Sequence, residues 1–437
     1  MRAIIVTFVA EVVSARRANL DISLSKLRAN TESIFGTIAT LHFACVVVFD
    51  TPGLAPLLVL EQNFDGDLDT YLKDLVGAAA TDLHAILQCC VGYAAALPAD
   101  HGQIISFLRA HAILPCAYHV GNVGRQQKRI RAERDLHQTV AARVDTSLRD
   151  GARPESAGAA YTLIRAEMRD AGTYDWVTHP HVRQTPAERL LPWVRLGGVV
   201  VFALIGIGSV GWVAAQTAAT TTGAWLCFFA ALVLPAALLL SLLRWRERTD
   251  VPMDPATLDA KDLYRLTAQE DRQFQNHLAS ITVVKPGRLR HMILRAVLFV
   301  ANLVARTSTK GKLSGIPSIH FAHWALVDGG RRLMFLSNYD GSWGSYLDDF
   351  VEKASTGLTA IWSNTMGFPR TRFLVLDGAR DGTAFKAFAR MSQAPAAVWY
   401  SAYPNLTVEQ IDASSGFREG LATSPRTAEL CAWLRRV

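Results

Sequence analysis

Between residues 194 and 244 the chain carries two uncharged apolar runs, and few folds accommodate them. The first, LGGVVVFALIGIGSVGWVAA, occupies 196–215, and the second, GAWLCFFAALVLPAALLLSLL, occupies 223–243. About twenty helical residues at roughly 1.5 Å each span the ~30 Å hydrocarbon core of a bilayer. A buried helix of a soluble domain would show a polar stripe, and neither run has one. Pro235 is tolerable, because a transmembrane helix absorbs a kink. The connection at 216–222 is uncharged, whereas Arg183, Arg189 and Arg195 precede the runs and Arg244, Arg246 and Arg248 follow them. The positive-inside rule then predicts a hairpin in the inner (plasma) membrane, with its turn outside and both soluble halves cytoplasmic. Trp193, Trp212, Trp225 and Trp245 fall near the four span ends, as an aromatic belt requires. Gly198, Gly206, Gly208 and Gly211 leave room for a neighbouring helix, and packing against the second span is the simplest use of them.

The rest of the composition fits a soluble protein around that insertion. A length of 437 residues suggests two to three domains. The net charge of +7 does not point to nucleic acid, because the basic residues crowd the edges of the apolar block and no nucleic-acid motif is present. Lys285, Arg288, Arg290, Arg295, Arg306, Lys310 and Lys312 continue that crowding around a shorter apolar stretch, 296–305. This stretch is too short to cross; it suits a helix on the membrane surface, with Arg288, Arg290 and Arg295 reaching headgroups, or a plain buried helix. The six cysteines make no CxxC pair, which fits reduced thiols. The opening MRAIIVTFVAEVVSARR lacks signal-peptide form, since Glu11 breaks the apolar run and Arg16–Arg17 stand where small residues belong. It reads as an amphipathic helix or a strand.

Self-comparison reveals a repeat. LHFACVVVFD (41–50) matches IHFAHWALVD (319–328), and LVLEQNFDGDLDTYLKDLV (58–76) matches LMFLSNYDGSWGSYLDDFV (333–351) without a gap. Each copy reads as two strands, an Asn-(Phe/Tyr)-Asp-Gly turn, and a helix with apolar residues at i, i+3, i+4, i+7 and i+8. Asp67 and Ser342 stand at the N-cap positions. A strand at 371–377 in copy two, a second helix (103–112; 383–392) and a closing strand (115–120; 397–403) complete the pattern.

The element mix predicts an α+β fold of two ferredoxin-like antiparallel-sheet domains, paired as a pseudo-dimeric α/β barrel with the hairpin inserted between them. One departure from that type is expected: two strands, not one, before the first helix. The boundaries are a first copy at 1–124, a helical linker at 125–192, the hairpin at 193–245, a helical basic segment at 246–313, and a second copy at 314–437.

His42 and His320 recur on apolar strands, and an imidazole there could serve as ligand or acid–base group; a hydrogen-bonded structural histidine is the plainer reading. Asn63 and Asp65, with Asn338 and Asp340, could present polar groups to a ligand, against the plainer reading of a turn. Tyr400 and Tyr403 could line an apolar pocket or simply pack. His179-Pro-His181 is a weak metal signal, and no metal site is expected. Gly206-Ile-Gly208-Ser-Val-Gly211 matches a dinucleotide fingerprint only as a string, inside the span.

Two resemblances add to this. FQNHLASITVVKPGRLR (274–290) and SNTMGFPRTRFLVLDGARD (363–381) resemble a bacterial family of membrane-anchored proteins over most of 260–411 and the hairpin; this implies architecture and carries over no catalytic residue. The Asp-Gly turn resembles that of the haem-dependent dye-decolourising peroxidases, which are tandem ferredoxin-like proteins, although their Gly-x-x-Asp-Gly and axial histidine find no match. The expected function is a membrane-anchored cytoplasmic binding module for a hydrophobic or lipid-derived small molecule, or for a partner enzyme. The alternative is a haem- or flavin-dependent oxidoreductase with His42 or His320 near its centre; a scaffold that only mediates association is a third reading.

Overall fold

A computed structural model describes residues 3–94, 99–170, 174–178, 186–217, 220–249, 260–270, 273–307, 312–423 and 427–434. The His179-Pro-His181 motif, Arg183 and Lys310 lie outside the described residues. The first half runs β1 (Ala3–Glu11), α1 (Arg17–Ala29), α2 (Thr31–Phe35), β2 (Leu41–Phe49), β3 (Leu57–Asp65), α3 (Leu68–Leu87), α4 (His101–Ala110), β4 (Ala112–Ile113) and β5 (Ala117–Val120). Then α5 (Gln127–Arg149) and α6 (Ala157–Asp170) lead to two long apolar helices, α7 (Pro186–Thr217) and α8 (Thr221–Thr249). The second half follows α9 (Ala260–Gln269) with β6 (Gln275–Val283), α10 (Arg288–Thr307), β7 (Ile319–Val327), β8 (Arg332–Asp340) and α11 (Trp343–Trp362). It ends with β9 (Thr371–Arg372), β10 (Leu376–Asp377), α12 (Gly382–Ser392), β11 (Val398–Ser401), α13 (Val408–Thr423) and α14 (Thr427–Leu434).

The fold is α+β with antiparallel sheets. One sheet has the order β11-β2-β3-β1-β4 and the other β5-β7-β8-β6. Each therefore takes an edge strand from the opposite half: β11 pairs with β2, and β5 pairs with β7. Helices cover the outer face of each sheet. Leu20, Leu24 and Leu72 pack on the first, and Leu298, Tyr346 and Phe350 on the second. The inner faces meet each other through Val9, Val47, Val59, Val327, Met334 and Leu336. Being buried on both faces, the central strands read as nearly continuous apolar runs rather than alternating ones.

Several expectations change. The N-terminal segment is strand β1, and with α1 it precedes the repeated His-Phe-Ala strand, so only one strand comes before the first helix. In the second half the same place is filled by β6 and α10. The segment 246–313, expected to be mainly helical, thus contains β6, an edge strand of the second sheet. Its alternation was hidden by polar residues at Asn276, His277 and Ser280. The strand expected at 371–377 is instead a short hairpin, because Phe373 and Leu374 adopt φ of 55° and 64° and turn the chain between β9 and β10. The helices at 68–87 and 343–362 start where expected: Asp67 accepts from Thr70 N and Ser342 from Ser345 N.

Two helices are long and apolar enough to cross a membrane, Trp193–Thr217 and Thr221–Thr249, with mean hydropathies of 2.2 and 2.6. Almost none of either is buried against the rest of the protein, unlike the core helix of a soluble domain. They pack on each other, with Gly211 against the Phe228 ring.

The crossing of β5 to the other sheet depends on close backbone approach at its end. Gly121 N donates to His320 O at 2.8 Å, and a Cβ at this position would run into the Ile319 carbonyl. Gly121→Ala should therefore destabilise the protein by about 1–3 kcal/mol, as overpacking does. Thermal unfolding of the detergent-solubilised chain checks this; an unchanged midpoint would remove Gly121 from the crossing.

Candidate functional site

The repeated histidines sit where the strand register breaks. In both β2 and β7 the pairing shifts by one residue, between Leu41 and Phe43 and between Ile319 and Phe321, so His42 and His320 are the bulged residues. Each turns to the aspartate of its own Asp-Gly turn: His42 Nε2 lies 3.0 Å from Asp65 Oδ2, and His320 Nε2 lies 2.7 Å from Asp340 Oδ1. Both aspartates also cap a helix that follows their copy. Asp65 Oδ2 accepts from Gln127 N at 2.7 Å, opening α5, and Asp340 Oδ2 accepts from Val408 N at 2.7 Å, opening α13. A carboxylate at a helix N-terminus satisfies an orphan amide and complements the dipole. The helices so anchored pack side by side, with Glu133 of α5 held by Arg129, Ser415 and Arg418. These four residues are thus joints of the framework.

Haem does not fit this arrangement. His42 Nδ1 meets the Tyr403 hydroxyl at 2.8 Å, and its Nε2 lies 3.0 Å from Asp65 Oδ2, so each ring nitrogen has a polar neighbour. His320 is committed to Asp340 and lies 3.3 Å from Gln275 Nε2. The aromatic rings of Phe43, Phe321 and Tyr403 crowd both imidazoles at centroid distances of 5.2–6.0 Å. These rings close in on His320 as well, whose Nδ1 has no hydrogen-bond partner. Tyr403 is a partner of this framework, and Tyr400 packs its ring on Phe35; burial raises the pKa of both phenols.

Polar groups of a different kind gather further along the inner faces. The β1–β3 register sets Thr7 opposite Glu61, and the β2–β3 register sets Cys45 opposite Glu61 and Phe43 opposite Asn63. The facing sheet supplies His277 from β6, His323 from β7 and Asn338 from β8. All are buried, Glu61 at 1% exposure, and Asn63, His323 and Asn338 at 0%. His323 Nε2 meets Thr7 Oγ1 at 3.0 Å, while its Nδ1 stands 3.4 Å from Glu61 Oε1. His277 Nδ1 meets Asn338 Oδ1 at 3.1 Å, and Trp399 Nε1 donates to the same oxygen at 2.9 Å. That leaves the Asn338 NH₂ to face the carboxyl, and His277 Nε2 without a partner.

Burial controls the protonation of this cluster. It pushes the Glu61 carboxyl up to about 7, against a smaller downward pull from the Asn63 and Asn338 amides. It drives His277 down to about 4 despite the Asn338 hydrogen bond, and His323 down to about 3, with His277 adding to the effect. Near neutral pH the cluster therefore holds two uncharged imidazoles and a carboxyl that exchanges its proton. A buried carboxylate facing charged imidazoles would be costlier than this neutral set. Among the described residues no group of three or more His, Cys, Asp or Glu is arranged to hold a metal ion.

Of these residues the sequence pointed to Asn63 and Asn338 as ligand candidates, and it gave no pointer to Glu61, His277 or Thr7. The available signal was asymmetry inside the repeat, where Glu61 stands opposite Leu336 of the other copy and His323 opposite Cys45. Of the basic residues assigned to the membrane surface, Arg288 and Arg295 are exposed, whereas Arg290 is buried at 4% exposure; its place on α10 turns it toward the protein. Compared with protein-family profiles, curated proteins and solved structures, the chain matches none of them.

The stability of the fold should follow the Glu61 proton. Because its folded pKa lies above the ordinary 4.5, its stabilising effect is complete below that pH and is lost as pH rises through about 7. The full loss is roughly 3 kcal/mol. The imidazoles act oppositely: their effect is complete above pH 6.5 and is lost as pH falls through about 4 and 3. Glu61→Gln should therefore raise the unfolding midpoint at pH 8.5 and have little effect at pH 5, as read by intrinsic fluorescence in detergent. Parallel wild-type and variant profiles would show that Glu61 titrates normally.

Proposed function

We propose that the chain is a membrane-anchored binding module in which two ferredoxin-like units pair as an α/β barrel and hold a hydrophobic small molecule at the Glu61 cluster. The observation that supports this most is the composition of the inter-sheet space. Apolar walls of Val9, Val47, Met334 and Leu336 flank a carboxyl, two neutral imidazoles and two amides with hydrogen-bonding capacity left over. Apolar surroundings with a few convergent polar groups suit a ligand with a hydrophobic body and one polar end. A hydroxyl or protonated amine matches a carboxyl that can either donate or accept near neutral pH. A lipid-derived molecule, delivered from the bilayer beside the domains, has this chemistry.

In this reading α7 and α8 cross the inner membrane as a hairpin, and both halves lie in the cytoplasm, where each completes the other's sheet. The arginines at 244, 246 and 248 support that orientation. The alternative, a haem or flavin oxidoreductase, draws less support, since His42 and His320 are committed to Asp65 and Asp340. A partner enzyme docked on the same domains would leave the cluster without a ligand.

Native mass spectrometry of the detergent-purified chain tests the proposal. Wild type should release a small molecule that Glu61→Leu loses and Lys353→Ala, an exposed control, retains. A wild type that carries and takes up nothing from a lipid extract would overturn it, and a Soret or flavin absorption band would favour the oxidoreductase. A reporter fused after residue 437 should lie in the cytoplasm; a periplasmic signal would reverse the topology.

A further inference from the structure

The end of α8 is bound to a part of the second half that was expected to be a plain strand. Glu247, in the last turn of that helix, accepts from Leu374 N at 2.7 Å, Phe373 N at 2.9 Å and Thr371 Oγ1 at 2.7 Å. Arg244 donates to Thr371 O at 3.1 Å and lies over the Phe373 ring at 5.8 Å. Four hydrogen bonds thus fix the β9–β10 hairpin against the helix. They do so although Phe373 and Leu374, neither of them glycine, adopt consecutive left-handed conformations. This strained turn buries Leu374 but presents its other apolar residues outward: Phe373, Val375 and Leu376 remain 36–43% exposed.

A second apolar surface adjoins the other long helix. Helix α10 buries Leu294 and Leu298 in the second core, yet its opposite face carries Met292, Phe299, Val300 and Val304, each at least half exposed. That face follows helical spacing, is bordered at its start by exposed Arg288 and Arg295, and belongs to an element packed against α7. The two surfaces are therefore continuous with the two helices that are long enough to cross a membrane. Their apolar centres and basic borders match the boundary between acyl chains and anionic headgroups.

We infer that the outer face of α10 and the tip of the 371–377 hairpin insert into the cytoplasmic leaflet, forming a second, interfacial membrane contact that orients the soluble domains on their anchor. The occupant of both surfaces is bilayer lipid. The inference rests on the reading of α7 and α8 as a membrane hairpin. Within it, Glu247 is a positioning residue that holds the tip at the depth where the helix leaves the bilayer.

Photocrosslinking in the full chain separates this inference from the one beneath it. Benzoylphenylalanine placed singly at 299, 375, 207 (within α7) or 22 (exposed on α1) is irradiated in nanodiscs of phosphatidylethanolamine and phosphatidylglycerol, and lipid adducts are counted by mass spectrometry. Adducts at 299 and 375 at yields within a few-fold of position 207, and none at 22, are expected. Glu247→Gln should reduce the adduct at 375 several-fold while sparing that at 299. Adducts at 207 without any at 299 and 375 would overturn the interfacial contact and leave the anchor standing. No adduct at 207 would overturn the anchor reading itself.

Discussion

The exchange of edge strands between the two halves is the interaction on which the rest of the structure depends. β5 leaves the first half to pair with β7, and β11 leaves the second to pair with β2, so neither sheet is complete from its own segment. Backbone hydrogen bonds of this kind are obligatory, since a buried, unpaired strand edge is costly. The exchange ties together segments separated by the long apolar hairpin, and therefore requires both halves to lie on one side of it. It also brings the inner faces of the sheets together, creating a third core that neither half has by itself.

Polar residues in that third core carry the chemical interest. Asymmetry concentrates there: the first half contributes Glu61 and Thr7, the second His277 and His323, and Asn63 and Asn338 come from equivalent places. In a close-packed interior an ionised carboxylate costs several kcal/mol, and protonation near neutral pH relieves part of that cost. The cluster is consequently a place where protonation and sheet packing influence one another. The His–Asp pairs at the bulges are, by contrast, symmetric, and their aspartates dock α5 and α13. Symmetry accompanies the joints of the framework, and its loss accompanies the titrating cluster.

Chemistry and position were legible to different degrees. The capped helices α3 and α11 were readable because their apolar spacing and N-caps are local. His42 and His320 were visible as recurring residues, but their role was not, because a bulge and a helix start distant in sequence define it. β6 was not read as a strand, since burial on both faces and three polar positions remove the alternation that marks one. The hairpin at 371–377 looked like a strand because β-branched and aromatic residues favour extended backbone, while Glu247 holds a turn that local preference disfavours.

By itself the sequence determined two helices long and apolar enough to cross a membrane, since some twenty consecutive residues without a charge allow little else. It also determined the recurring strand–turn–helix unit, whose hydrophobic period and caps act within a few residues. Only the tertiary structure decided which sheet each edge strand joins, because backbone pairing carries no signature of its partner. It likewise decided that Glu61, His277 and His323 meet. The physical reason is the same for both: these contacts form between faces of different sheets, and a residue's face becomes a neighbourhood only when the sheets are stacked.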